Sequence, residues 1–320
     1  MESNLKKYDC NIAQIGCGAW GKNLIRNFYN LKSLKYIYDI DKSKVQLIKE
    51  KYNIQYLDLN AILNDINIKG VVIASPINTH FKLAKLALKK NKDVFIEKPI
   101  AMNVREAQIL KKISEKNNKI IMVGHILQYH PVFIKLKKIL RHKNIGTIKE
   151  IYCSRLNNLI KNPTNSILLD YAPHDISAAL ELAKSEPYKI DAICKKFIEY
   201  KEIDVSINIK FKNNINCKIN LSWTNETKKQ EIKIVTNKNI IIFDDTLNWE
   251  NKLTIYTNTE IHKITVKKKE PLLNECEYFL ACVKNRKQPL SNCQESIKIM
   301  KIIESIKKII NKQTYNLKLL

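Results

Sequence analysis

Five short apolar runs punctuate the first 125 residues: CNIAQIG (10–16), LKYIYDI (34–40), GVVIAS (70–75), DVFIEK (93–98) and KIIMVG (119–124). Amphipathic stretches of helical period lie between them, among them AWGKNLIRNFYN, KSKVQLIKEKY, HFKLAKLALKK and VREAQILKKISEK. Runs that are apolar throughout, rather than at every second residue, are expected of strands covered on both faces. Strand, helix, strand at this spacing requires right-handed crossovers, and so a parallel, doubly wound sheet. Ligands of such a sheet gather outside the carboxyl ends of its strands.

The pattern changes after HPVFIKLKKILRH, a helix predicted over 131–142. TIKEIYCSRLN, YKIDAICKKFIEY, IDVSINIKF, NINCKINLSW, QEIKIVT, NIIIFDD, KLTIYT and EIHKITV follow in series. Period-two alternation in many of them predicts a large, mostly antiparallel sheet with one face packed and the other open to water or a partner subunit. A helix over 172–185 interrupts the series, and helices at 271–285 and 292–312 close the chain. There is no internal repeat and no low-complexity linker. The expected fold is therefore α/β in residues 1–124 and α+β in residues 125–320, with the 292–312 helix packing back on the first domain.

Gly16, Gly18 and Gly21, three of only six glycines, stand within six residues. Their spacing, G-x-G-x-x-G, follows the first predicted strand and opens the first predicted helix, the context of a dinucleotide-binding (Rossmann) turn. Gly16 is read as allowing the tight turn, Gly18 as admitting a pyrophosphate, and Gly21 as letting helix and strand approach. Ala19 and Trp20 complete the loop, and the helix N-terminus would receive the phosphates. Asp39 ends the second strand, where a carboxylate can accept from both hydroxyls of the adenosine ribose and repel a 2′-phosphate. The cofactor expected is NAD rather than NADP. Asp41 is read as the cap of the next helix.

The formal charge of +25, from 56 Lys and Arg against 31 Asp and Glu, raises nucleic acid or an anionic membrane as partners. The basic residues are spread from Lys6 to Lys318 and mostly interleaved with acids, so neither is expected. Eight cysteines without a C-x-x-C pair read as reduced thiols, no metal-ligand spacing stands out, and no apolar run is long enough to span a bilayer. With no signal peptide seen, the expectation is a cytoplasmic protein.

GCGAWG, YDID, VVIASPINTHFKLAKLALKKNKDVFIEKP, MVGHILQYHP and LLDYAPHDI occur in an order that resembles the Gfo/Idh/MocA oxidoreductases. The resemblance implies that Lys98 and His174 flank the reacting carbon, with Asp170 one helical turn before His174. Oxidising a secondary alcohol sends hydride to the nicotinamide while a base removes the hydroxyl proton. His174 is the natural base, with Lys98 either the base in its place or the group that stabilises alkoxide charge, and Asp170 could orient His174. Ser75, Pro76, Asn78 and His80 would line the cofactor groove, His80 alternatively capping the next helix, and Glu97 would meet the nicotinamide ribose. His125, Gln128 and Tyr129 are expected at the domain junction, Tyr129 on the substrate side. Many relatives carry arginine at the position of Gln128.

YCSRLNN (152–158), DYAPHDIS (170–177) and EPLLNECEYFLACV (270–283) resemble the branch that oxidises the 3-hydroxyl of UDP-N-acetylglucosamine or of its uronic acid. The 3-keto product is then aminated by a pyridoxal-phosphate enzyme, towards lipid A or surface polysaccharide. Arg155, at a strand end, would hold the diphosphate with Asn157 beside it. A free-sugar or inositol dehydrogenase and a non-catalytic NAD-binding sensor are the alternatives. The open sheet face suggests a homodimer or homotetramer.

Overall fold

The computed structural model describes residues 10–158 and 166–317. The chain opens with β1 (Ile12–Ile15), α1 (Gly21–Asn30), β2 (Leu34–Tyr38), α2 (Lys42–Tyr52), β3 (Gln55–Tyr56) and α3 (Leu59–Asn64). It continues through β4 (Gly70–Ile73), α4 (Ile77–Lys89), β5 (Asp93–Ile96), α5 (Val104–Lys116) and β6 (Ile121–Val123). The six strands form one parallel sheet in the order β3-β2-β1-β4-β5-β6. Strands β1, β4, β5 and β6 are buried at every residue, which is why they read as unbroken apolar runs. The order reverses between β1 and β4. That is the switch point at which a doubly wound sheet opens a crevice.

The second stretch comprises α6 (Pro131–Ile139), β7 (Ile148–Asn158), α7 (Ile167–Asp170), α8 (Ala172–Ala183), β8 (Pro187–Ile198), β9 (Lys201–Phe211) and β10 (Asn216–Ser222). Then come β11 (Thr224–Thr236), β12 (Ile240–Asp244), β13 (Leu253–Tyr256), β14 (Ile261–Lys263), α9 (Pro271–Asn285) and α10 (Cys293–Leu317). The eight strands form one sheet in the order β14-β13-β12-β11-β7-β10-β9-β8. Its pairs are antiparallel except β10 with β7, where Leu221 faces Arg155 and Ile219 faces Cys153 in parallel register. Period two is plain in burial. Val205, Ile207, Ile209, Cys217, Ile219, Leu221, Ile232 and Ile234 are buried, while Lys210, Lys218 and Asn220 on the other face are exposed. On that face Tyr152 lies between Lys218 and Lys233, whose ammonium groups stand 5.5 and 5.8 Å from its ring centre.

The chain forms two compact units, residues 1–129 with 270–298 and residues 130–269 with 299–320. Helix α9, which the sequence pattern leaves with the sheet half, thus belongs to the first unit. The aromatic centre of that unit shows why. Phe279 of α9 packs edge-on against Phe28 of α1 at 6.3 Å and Phe95 of β5 at 5.7 Å, and Phe28 meets Phe95 at 6.2 Å. Helix α10 begins in the first unit and continues in the second, where Gln313 Nε2 donates to the Ala192 carbonyl of β8 at 3.0 Å. Cys17, Cys153, Cys194, Cys217, Cys276, Cys282 and Cys293 are free thiols. Among the described residues no helix is long and apolar enough to cross a membrane.

Candidate active site

The turn after β1 is built around glycines that other residues could not replace. Gly16 has φ +102°, and a Cβ there would stand 2.4 Å from the Ala74 carbonyl oxygen at the end of β4. A Cβ on Gly21 would stand 2.4 Å from the Gly16 carbonyl oxygen. Gly18 differs, since its Cβ position has no atom within 4 Å and so faces open space. Packing demands the outer two glycines. The middle one leaves room for a ligand. Gln14, fully buried in β1, donates its amide to the carbonyls of Gly16 (2.9 Å) and Gly21 (2.8 Å) and so holds the turn closed. The sequence reading passed over Gln14, although a polar residue in an otherwise apolar strand was the available signal. Helix α1 has no side-chain cap and no acidic residue in its first turn, which favours an anion at its N-terminus.

Asp39 is tied to the turn. Its Oδ2 accepts from the Cys17 amide at 2.7 Å and its Oδ1 from the Asp41 amide at 2.9 Å. Each carboxylate oxygen retains a further lone pair for a ribose hydroxyl. Asp41 caps α2, accepting from the Ser43 amide at 3.0 Å. Cys17 is no nucleophile, because burial and the neighbouring Asp39 push its thiol up to about 12. An open Gly18, an uncapped helix end and an anchored Asp39 fit a dinucleotide.

Beside the next strand ends, Trp20 Nε1 donates to Glu97 Oε1 at 2.5 Å, and the Lys98 amide donates to Glu97 Oε2 at 3.3 Å. Gly124 makes room for this carboxyl group, as a Cβ there would come within 3.0 Å of it. Burial raises the Glu97 pKa to about 7 against the lowering effects of Trp20 and Lys98. His80 neither caps α4 nor stands exposed in the groove. It is buried, with Nδ1 2.8 Å from the Pro99 carbonyl and Nε2 2.8 Å from the Ser75 carbonyl, so it staples the two strand-end turns together. Burial lowers its pKa despite the two carbonyls. Pro76 and Asn78 are exposed, and the Ser75 hydroxyl bonds that of Thr79 at 2.6 Å.

Behind Glu97 lies a buried polar group that the sequence reading missed. Glu275 of α9 is 1% exposed, its Oε1 lacks a hydrogen-bond partner, and burial followed by the charge of Glu97 pushes its pKa well up. His125 is buried with Nε2 3.3 Å from the Ser296 hydroxyl, and burial and then Lys98 press its pKa down to about 3. Tyr129 is not on a substrate-facing surface. It is 2% exposed, with its hydroxyl 2.8 Å from that of Ser291 and its ring against Tyr278. Gln128 is likewise buried.

The second unit carries the remaining residues. Asp170 ends α7, which Ser166 caps, and His174 lies in the first turn of α8. Tyr171 separates the two helices yet keeps right-handed helical dihedrals, so the four-residue spacing still follows a helical path. Arg155 does not stand ready for a diphosphate. Its Nε donates to Asp175 Oδ2 at 2.8 Å and its Nη2 to Oδ1 at 3.3 Å, in a pair whose side chains are 13% and 2% exposed. Burial disfavours the guanidinium charge, but Asp175 more than offsets this and raises its pKa. Asn157 is half-buried and accepts from the Asn158 amide at 2.9 Å. Asp175 is therefore the partner that the sequence reading did not provide for Arg155.

Residues 10–125 match the oxidoreductase family with NAD-binding Rossmann fold, and residues 133–242 match the GFO/IDH/MocA C-terminal domain. The chain belongs to the Gfo/Idh/MocA family. Among relatives in that family, the UDP-N-acetylglucosamine 3-dehydrogenase of Acidithiobacillus ferrooxidans is 23% identical over 181 residues, 56% of each chain. Inositol 2-dehydrogenase of Salmonella typhimurium is 30% identical over 139 residues, 41% of each chain. This chain thus spans little more than half the length of the first of these relatives, and less of the second. In solved form the Acidithiobacillus enzyme shares the fold, with a TM-score of 0.87, 18% identity, and coverage of 94% of this chain and 97% of that one.

Proposed function

We propose that this Gfo/Idh/MocA member is an NAD-dependent dehydrogenase of a sugar secondary hydroxyl, and that it oxidises the 3-hydroxyl of UDP-N-acetylglucosamine to the 3-keto nucleotide sugar. One observation carries the redox half: Asp39, tied to the Cys17 amide, presents ribose acceptors beside an open Gly18. The choice of sugar rests on the likeness to the Acidithiobacillus dehydrogenase.

A bound NAD would supply the hydride acceptor for the alcohol carbon. Gly16, Gly18, Ala19, Trp20 and Gly21 would hold its pyrophosphate, Asp39 its adenosine ribose, and Glu97 its nicotinamide ribose. His174 takes the hydroxyl proton as the carbon–oxygen double bond forms. Lys98 stabilises the alkoxide charge that develops meanwhile, and Asp170 orients His174. Each turnover yields one ketone, one NADH and one proton. The first unit, residues 1–129 with 270–298, is assigned the cofactor, and the sheet unit the substrate and self-association. On this reading the enzyme is cytoplasmic, forms a homodimer or homotetramer, and supplies a pyridoxal-phosphate aminotransferase on the way to a 3-amino sugar of lipopolysaccharide.

The test is NADH formation with UDP-N-acetylglucosamine, its uronate, myo-inositol and glucose in parallel. The highest kcat/KM is expected with UDP-N-acetylglucosamine. Turnover of myo-inositol alone would overturn that substrate and leave the second reading, which the 30% identity to inositol 2-dehydrogenase supports. Absence of turnover with tight NAD binding would favour a sensor.

A further inference from the structure

Arg155 grips the chain on both sides of His174. Its fork reaches Asp175, the next residue, and its guanidinium carbon lies 5.8 Å from the ring centre of Tyr171, three residues before. The Tyr171 carbonyl in turn accepts the His174 amide at 3.1 Å. Tyr171 is itself backed edge-on by Trp223, with ring centres 5.6 Å apart. Helix α8 begins without a side-chain cap at Tyr171, so this end of it lacks the usual device that fixes a first turn. Arg155 stands in the interior of the sheet, paired through β7 with Leu221 on one side and Gln230 on the other. It thus joins the centre of the sheet to a helix start that has Pro173 in its first turn but no side-chain cap.

We propose that Arg155 is a positioning residue, which fixes the first turn of α8 through Asp175 and Tyr171 and so sets the placement of the His174 imidazole. This deepens the functional reading above and rests on it for the role of His174. It also replaces the expected diphosphate contact at Arg155. Rotation of α8 about its axis carries His174 and Asp175 together, and a bidentate fork on Asp175 resists that rotation where a single ammonium would not. Proton transfer demands placement to within a fraction of an ångström, and a misplacement of about 1 Å costs on the order of 100-fold in rate.

Two readouts on the full-length protein test this. The first needs no substrate: the ring resonances of protein labelled with 15N-histidine, His174 being identified by the signals lost in His174→Asn. Arg155→Met and Asp175→Asn should move or double the His174 signals while those of His80 and His125, in the other unit, stay in place. Unchanged His174 signals in both variants would overturn the proposal.

The second readout is steady-state turnover of UDP-N-acetylglucosamine. Arg155→Met should lower kcat by about 10- to 100-fold, with the KM for NAD unchanged. Placed on His174→Asn it should lower kcat little further, because residues acting as a unit are not additive. A raised sugar-nucleotide KM with kcat intact would instead make Arg155 a substrate contact, and multiplicative losses would sever it from His174; either result overturns the proposal. Should Arg155→Met fail to fold, Arg155→Lys asks the same question, because it keeps the charge and loses the fork. Wild-type signals and kcat in that variant would count against the idea. A fully active His174→Asn would remove His174 from the catalytic reading, and the resonance experiment would still decide whether Arg155 places its ring.

Discussion

A Cβ on Gly16 would stand 2.4 Å from the carbonyl oxygen of Ala74, so the ends of β1 and β4 can meet at the switch point only if residue 16 has no side chain. Gly18 has no such neighbour. Gly16→Ala should therefore destabilise the fold by about 3 kcal/mol or more. Gly18→Ala should melt within a few degrees of wild type and still lose NAD affinity. Thermal melts with NAD titrations separate the two; equal destabilisation by both would refute this division of labour.

Asp39 holds the Cys17 amide and faces the site proposed for ribose. A hydrogen bond to a charged group contributes about 1.5–3 kcal/mol, so Asp39→Ala should weaken NAD binding by about 10- to 100-fold. It should also narrow the preference for NAD over NADP by removing the negative charge. Calorimetric titration with both cofactors checks this, and an unaltered NAD affinity would exclude the ribose contact.

Gln14 secures two carbonyls of the glycine turn from inside the sheet. Gln14→Leu keeps the volume and takes the side-chain donor from the buried Gly16 carbonyl, at a cost of about 1–3 kcal/mol, while the Gly21 carbonyl keeps its partner within α1. A loss of stability is expected in urea denaturation together with weaker NAD binding. Wild-type values for both would show that the turn holds itself.

Glu275 is buried near Glu97, and both carboxyl groups have raised pKa values. A carboxyl group with a raised folded-state pKa keeps its proton where the unfolded chain has already released it. Stability is then full below the unfolded-state value and falls as pH rises towards the folded-state one. Glu275→Gln mimics the protonated group, so its Tm should exceed that of wild type by more at about pH 8 than at about pH 5. A gain independent of pH would contradict the assignment.

The residues legible in the sequence are those whose task is local. G-x-G-x-x-G and Asp39 could be placed because a strand, a turn and a helix fix their relation within one unit of chain. The alternating runs likewise announced a second sheet, but alternation records which residues face the core and not which strand lies alongside. The parallel pairing of β10 with β7 was thus invisible. Arg155 was misread for a similar reason, since its partner Asp175 comes from another element and burial of the pair leaves no spacing signal. Tyr129 and Glu275 look like ordinary amphipathic positions until α9 is seen to return to the first unit.

That return has a consequence for synthesis. The core around Phe28 and Phe95 waits for Phe279, which the ribosome adds only after the whole eight-stranded sheet has been made. A fragment ending at residue 129 would leave those two rings without their third member, forgoing about 1.5–3 kcal/mol for the missing phenylalanine alone. The nucleotide-binding half precedes the sheet in the chain and is completed only after it.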